Sequence, residues 1–288
     1  MAKNILITGA TGTVGRLLSE KLAAAGVKAR ALVRSREKGE PLERLGLELA
    51  LGDLDKPETL KPALEGIEKV FILTSPDPRQ AELQSNLVRA ALEAGVRHLV
   101  KLSVIGIGSG LEKTSLGRLH LKTEEEIERS GIAYTHLRPN GFMQNTFTHA
   151  ATIKSQGVFY SPFSESKESC IDARDVAAVA VSALTEEGHE GKAYELTGPE
   201  SLSYDEMARE LSAALGREIR YVEIPVEAAR SAMTGAGMQA WLVDALVELY
   251  YFYKDGGAAH VTGHVRQITG QEPITFAQFA RDYRQVFE

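Results

Sequence analysis

Cysteine is nearly absent: the 288 residues hold one, Cys170. A lone cysteine excludes an intramolecular disulfide and a cysteine-cluster metal site, and it fits a reducing cytoplasm. Its expected place is that of a small buried apolar side chain. An excess of positive charge is also missing, since 33 Lys and Arg against 39 Asp and Glu leave a net charge of −6, with both signs interspersed. Such a surface offers no basic field to a nucleic-acid backbone, so nucleic acid is not expected as a direct ligand. No apolar run reaches the roughly 18 residues needed to span a bilayer, so no membrane segment is expected. The richest candidate, "WLVDALVELYYFY" (241–253), is broken by Asp244 and Glu248 and reads as a helix packed into a core or a homodimer contact. "MAKNILITGATG" enters a strand at once without a secretory h-region, which also points to the cytoplasm. The seven histidines are scattered without ligand spacing, so no metal is expected.

What is present is a rhythm. The first half alternates short β-branched runs with longer amphipathic stretches, the pattern of a parallel sheet with crossover helices. "NILIT" (4–8), "KARALV" (28–33), "LELALGD" (47–53), "KVFILT" (69–74), "HLVKLS" (98–103) and "YTHLRP" (134–139) read as strands. Helices are expected through "VGRLLSEKLAAAG" and near 57–65, 79–94 and 111–130, with stops at Gly26, Gly95 and Gly131. After residue 155 the pattern changes, and "SQGVFYSPFSESKES" reads as a polar loop. "CIDARDVAAVAVSALTEE" then gives a short strand and a helix, and "KAYELTG" another strand. "SYDEMARELSAALG" opens with a capping box, Ser203 at the N-cap and Glu206 three residues on. From about 225 onward the chain is mostly helical in character. The expectation is an α/β fold, a doubly wound parallel sheet of the Rossmann type with a smaller, mostly helical C-terminal substrate domain. The dinucleotide domain spans 1–155, with 170–198 returning to it, and the substrate domain 199–288.

The chemistry-bearing motif is "ITGATGTVG", directly after the first strand and directly before the first helix. Gly9 allows the tight exit, Gly12 lets the backbone approach a pyrophosphate, and Gly15 lets the helix pack close to the sheet. Thr11, Thr13 and Val14 complete the expected cradle, whose free N–H groups hold phosphate at the positive end of the helix dipole. The second strand ends in "ALVRSREKG", with Arg34 where an NAD site usually keeps an acid, and Arg36 and Lys38 nearby. A guanidinium grips a 2′-phosphate that a carboxylate would repel, so NADP(H) is expected over NAD(H). Asp53 and Leu54, after the third strand, are candidates for the adenine side, although Asp53 and Asp55 are equally suited to helix capping. Thr74, Ser75 and Pro76 end the fourth strand at the sheet edge that faces a ligand.

"TGATGTVG", "LVRS", "GDL", "VKLS", "SGIAYTHLRPNGFMQN", "DARDVA", "ELTGPE" and "TGQEPITFAQFARD" together resemble the NmrA-like group of atypical short-chain dehydrogenases/reductases. The resemblance runs through nearly the whole chain. It implies either NADPH-dependent reduction of quinones, azo dyes or triphenylmethane dyes, or a regulator that binds the dinucleotide without chemistry. It places Ser103 at the superfamily's serine, Leu116 at its tyrosine and His120 at its lysine. It also places the loop of Pro139 and Asn140 beside the nicotinamide, and makes Phe142, Met143 and Asn145 candidates for the substrate wall. Tyr160 and Phe163 are candidates to cover a flat aromatic substrate, and Arg174 and Asp175 to join the domains.

Leu116 has no proton to give, which argues against typical ketone reduction with a phenol as general acid. Quinones, delocalised dye cations and similar electron-poor π-systems spread or quench the added charge, and so need less acid assistance. His120 is the next group to weigh, either as a contact to cofactor or substrate or as a helix-face residue paired with Glu124. Lys122 and the acids at 124–126 read as a solvated face. The expected activity is hydride transfer to a small conjugated acceptor, with a non-catalytic NADP(H) sensor as the alternative.

Overall fold

The computed structural model describes residues 4–163 and 165–288. The chain runs β1 (Ile5–Ile7), α1 (Thr13–Ala24), β2 (Ala29–Val33), α2 (Arg36–Arg44), β3 (Glu48–Leu51), α3 (Leu60–Leu64), β4 (Lys69–Ile72), α4 (Gln80–Glu93) and β5 (His98–Leu102). It continues through α5 (Ser115–Arg129), β6 (Ala133–Pro139), α6 (Ala150–Gln156), β7 (Val158–Ser161), β8 (Lys167–Glu168), α7 (Ala173–Thr185) and β9 (Lys192–Leu196). The last part is β10 (Leu202–Ser203), α8 (Tyr204–Leu215), β11 (Arg220–Glu223), α9 (Val226–Gly235), α10 (Ala240–Lys254), α11 (His264–Thr269), α12 (Phe276–Asp282) and α13 (Arg284–Phe287). No helix among the described residues is long and apolar enough to cross a membrane. The chain divides into two compact units, one of 1–104, 119–138 and 176–194, the other of 105–118, 139–175 and 195–288.

The first unit is built on a seven-stranded sheet in the order β3-β2-β1-β4-β5-β6-β9. Its pairs from β3 to β6 are parallel, with Ile5 opposite Ala29 on one side and Lys69 on the other. Strand order runs outward in opposite directions from β1 and β4. The connections leaving those two strands therefore part, and the carboxyl ends between them open a crevice. Alternate residues are buried on both faces. Leu6, Val70, Ile72 and Leu99 join Leu60, Leu64, Leu87 and Ile127 of the helices in one core, while Ile5, Ile7, Phe71 and Val100 are buried on the other side. Each such side chain contributes about 1.5–3 kcal/mol relative to exposure.

The glycines at the first turn are a packing requirement. Gly9 sits at φ +62°, and a Cβ there would lie 2.8 Å from both the Leu73 carbonyl oxygen and its side chain. A Cβ on Gly15 would lie 2.2 Å from the Gly9 carbonyl oxygen and 2.7 Å from Ala10 Cα, so α1 can start this close to β1 only without one. Gly12 differs: its Cβ would meet nothing nearer than Gly9 O at 3.4 Å.

The second unit gathers an aromatic core, with Phe159, Phe276, Phe279 and Phe287 packed around Leu211 and Met207. Cys170 is buried here at 5% exposure, and burial pushes its thiol well above the usual range. The capping box at Ser203 and Glu206 forms as its spacing predicts. The stretch expected to be a loop is not one. Val158–Ser161 pairs in parallel with Arg220–Glu223, and Lys167–Glu168 pairs with Leu202–Ser203; Ser164 lies outside the described residues. Those partners stand far away in sequence, and Phe159 packs against Tyr204 and Tyr221, so the ordering comes from contacts that local composition does not show. The short strand expected before α7 is reduced to one bridge, Phe142 to Ile171.

Gly15→Ala is expected to cost about 3 kcal/mol, because the obstructing atoms are backbone. Gly12→Ala should cost less than about 1 kcal/mol. Urea denaturation of the two variants checks this, and equal losses would contradict the packing account.

Candidate active site

The segments that leave β1, β4 and β5 at their carboxyl ends bring most of the candidate residues of the first unit to one edge. At the first, α1 starts without a side-chain cap on Gly12. Gly12 donates to Gly9 O at 3.0 Å, and the first helical bond, from Arg16 to Gly12 O, is 2.9 Å. The N–H groups between them have no partner within the helix, as at any helix start. Thr11, Gly12 and Thr13 are exposed while Val14 and Gly15 are buried, so the turn presents an open backbone cradle on a packed base. With no Cβ on Gly12 to fill it, the cradle suits a pyrophosphate.

Arg34 follows β2 directly, exposed and with no ion pair among the described residues. Arg36 is engaged by Glu43 at 2.5 Å, and Lys38 is exposed on α2. Asp53 turns inward on its own loop: Oδ1 accepts from Asp55 N at 3.1 Å, and its N–H donates to Thr59 Oγ1 at 2.9 Å. Leu54 is half-buried against the sheet core. Thr74 Oγ1 accepts from Gln84 Nε2 at 2.8 Å, and Ser75 and Pro76 are exposed.

Past β4 and β5 lies a buried polar cluster that the sequence reading missed. Lys101, on β5, is fully buried, and its Nζ lies 2.9 Å from His120 Nδ1. His120 Nε2 lies 3.3 Å from Gln80 Nε2. Glu124 is not part of a solvated face. It is buried and grips Arg138 in a bidentate pair, Nε to Oε1 at 3.1 Å and Nη2 to Oε2 at 2.6 Å. The expected His120–Glu124 pair is replaced by these two separate pairs, because Arg138 offers the carboxylate a fork that an imidazole lacks. Ser103 is buried beside Glu124 and lends it electrostatic support without a hydrogen bond of good geometry.

Burial would raise the Glu124 carboxyl, but Arg138, His136 and Ser103 outweigh it and hold it below the usual range. Burial lowers Lys101 to about 7, with Glu124 opposing and Arg138 adding to the shift. Burial and then Lys101 hold His120, a half-buried residue, well below its ordinary value, so it stays a neutral imidazole. His136, opposite Lys101 on β6, is lowered by burial to about 4. One signal in the sequence does point to Lys101: "HLVKLS" is a central parallel strand, and a strand covered on both faces has no solvent side for a lysine.

In the second unit the candidates divide. Asn140 is 2% exposed, and its amide is committed to Ser169 Oγ and Ala258 O, both at 2.8 Å, so the side chain holds loops together. Pro139, just before it, is buried. Met143 is 1% exposed and packs in the core beside Ile153 and Cys170, where its flexible thioether fills the space between them. Phe142 is half-buried and Asn145 exposed. Tyr160 is exposed on β7, and Phe163 is buried in an aromatic cluster with Tyr204 and Tyr253. Arg174 bonds Asp172 and Asp282, and Asp175 accepts from Ile274 N at 2.8 Å, bonds that lie within this unit.

A parallel sheet whose strand order reverses between β1 and β4, with a glycine-rich turn at that point, defines the Rossmann-like class. A model of the NmrA-like family matches residues 1–280, and the chain belongs to that family. It is 43% identical over 284 residues to an NAD(P)H azoreductase of Xenophilus azovorans, covering 98% of this chain and 99% of that one. In structure it is similar to the NADPH-dependent quinone oxidoreductase of Escherichia coli complexed with NADPH, at TM-score 0.88 and 27% identity, covering 97% of this chain and 99% of that one. It is also similar to the Citrobacter sp. triphenylmethane reductase complexed with NADP(H), at TM-score 0.85 and 26% identity over 97% of this chain and 99% of that one.

Glu124→Gln would leave the Arg138 guanidinium without its carboxylate, at an expected cost of about 3 kcal/mol at neutral pH. The folded carboxyl titrates below its ordinary 4.5, so its contribution is full above that pH and is lost as pH falls through the folded value. The gap between wild type and variant in urea denaturation should therefore narrow in acid. A gap independent of pH would contradict the ion pair's role.

Proposed function

We propose that this chain, an NAD(P)H-dependent reductase of the azo-, quinone- and dye-reducing type, prefers NADPH and reduces an electron-poor conjugated acceptor without a tyrosine acid. The observation that carries this reading is the presence in one unit of an open phosphate cradle and a neutral imidazole, His120; on α5 the residue one turn before that imidazole is Leu116, which has no proton to give. The similarity to the azoreductase over nearly the full length of both chains supports the substrate class.

In this reading the backbone N–H groups at Thr13 and Val14, with the Thr11 and Thr13 hydroxyls, hold the pyrophosphate where Gly12 lets it approach. Arg34 grips the 2′-phosphate and Lys38 adds positive charge nearby. Asp53 and Leu54 flank the adenine, Thr74, Ser75 and Pro76 line the sheet edge beyond the phosphates, and Ser103 and His120 stand nearest the reacting ring. When bound, the dinucleotide supplies a hydride. The chain's own contribution is orientation and a single weak acid. That suffices where the added charge spreads over a quinone ring or an azo bond, and it does not suffice for a simple alkoxide. Phe142, Asn145 and Tyr160, which keep exposed surface, are the side chains proposed to meet a flat substrate.

Purified protein with NADPH should consume the reduced cofactor, read by its absorbance, when offered quinones, azo dyes or triarylmethane dyes, and should leave simple ketones untouched. Tight NADPH binding with no turnover across that panel would instead favour the sensor reading. Arg34→Glu should weaken NADPH by about tenfold or more, ~1.4 kcal/mol, and NADH much less. Equal losses for the two cofactors would remove the assignment of Arg34.

A further inference from the structure

Strand β5 carries a potential charge where no water can receive it. Lys101 is 0% exposed, with Ile72 opposite it on β4 and His136 on β6. Its Nζ reaches Leu102 O at 3.3 Å and His120 Nδ1 at 2.9 Å. The titratable groups that face it are His120 and Glu124 from α5 and His136 and Arg138 from β6; from α4 comes the uncharged Gln80, against His120. Glu124 is held by Arg138 in the bidentate pair, which leaves His120 as the side chain bonded to Lys101.

Hydrogen bonding at the two ring nitrogens is coupled. A protonated Lys101 can only donate, so Nδ1 must accept, the ring proton sits on Nε2, and the Gln80 amide presents its oxygen there. A neutral Lys101 has a lone pair. Nδ1–H can then donate to it, and Nε2 is left to accept from the Gln80 amide nitrogen. Both arrangements pair the two ring nitrogens, and they differ by one proton, lost from Nε2 at the outer face of the ring as an amine proton passes to Nδ1.

We propose that Lys101 and His120 form a proton relay, with Lys101 the buried reservoir and positioning residue and His120 the donor; this inference rests on the reductase reading above. A quinone or azo acceptor that has taken a hydride needs one further proton. The His120 Nε2–H bond breaks to protonate the acceptor's anionic oxygen or nitrogen, and Nδ1 takes a proton from the Lys101 ammonium. That leaves a neutral amine and the Nδ1–H tautomer. Reloading is the reverse: water protonates Nε2, and the Nδ1 proton returns to Lys101. Because Lys101 has no surface of its own, its proton enters and leaves through the ring. The pull of burial on both groups suits this task, since near neutrality the amine exists in both states while the imidazole stays uncharged in each.

Nitrogen NMR of the histidine rings in uniformly labelled protein, titrated from about pH 6 to about pH 9, reads the relay without turnover. In wild type, His120 should change from the Nε2–H to the Nδ1–H tautomer as pH rises through about 7, without passing through imidazolium. Lys101→Met, with its fold checked by circular dichroism, should abolish that change and move the His120 pKa up toward 6.5. A wild-type tautomer that ignores pH, or the same change in the variant, would overturn the proposal; the wild-type titration decides this even if the variant does not fold. In single-turnover reduction of an azo dye by NADPH, the wild-type rate should fall as pH rises through that range. Lys101→Met should be about tenfold or more slower and flat with pH, and an unchanged profile would overturn the relay. Wild-type protein that binds NADPH but reduces no dye would remove the reductase reading, and the NMR titration would still judge the relay by itself.

Discussion

The central strands β1, β4 and β5 of the sheet are buried on both faces, and water meets them only at their ends. The layout of the first unit follows from that constraint. A parallel strand buried on both faces must be apolar nearly throughout, so groups that bind or react collect where strands stop. The connections leaving β1 and β4 part from each other, and the glycine turn, the segment from Thr74 to Pro76 and the start of α4 all stand at that edge.

The same constraint explains the cost and the use of the polar groups that do lie inside. A buried charge survives only with a partner or by giving up its proton. Glu124 and Arg138 take the first course, in a bidentate pair. Lys101 takes the second, lowered to about 7 by burial and left in contact with a ring that can accept or donate. Two neighbouring groups in one apolar setting are thus driven in opposite directions, one fixed in charge and the other poised between states.

The second unit shows what the remaining chain is for in structural terms. Its core is aromatic, and its polar interior is small but occupied: Glu168, pushed up to about 7 by burial, accepts from Tyr204 at 2.9 Å, and Asn140 ties Ser169 to Ala258. A Cβ on Gly141 would lie 1.9 Å from Glu168 Oε1, so the turn after β6 must carry a glycine to let this carboxyl in. Side chains locked this way serve the scaffold, whereas Phe142, Asn145 and Tyr160 keep exposed surface.

The sequence by itself determined the strands from β1 to β6, the helices between them and the glycine turn, because these depend on local periodicity and on steric rules acting within a few residues. It was also sufficient for the resemblance that family membership bears out. Only the tertiary structure decided the rest. The pairing of β7 with β11 joins segments about sixty residues apart and makes strands of what composition marks as loop. Met143 becomes core, and Glu124 turns from solvent to Arg138. Lys101 acquires its meaning from His120, 19 residues away on another element, through a bond that no spacing rule records. Local patterns specify what a segment can form, whereas burial and through-space partners, which set the proton affinity of a side chain, exist only after the chain has closed on itself.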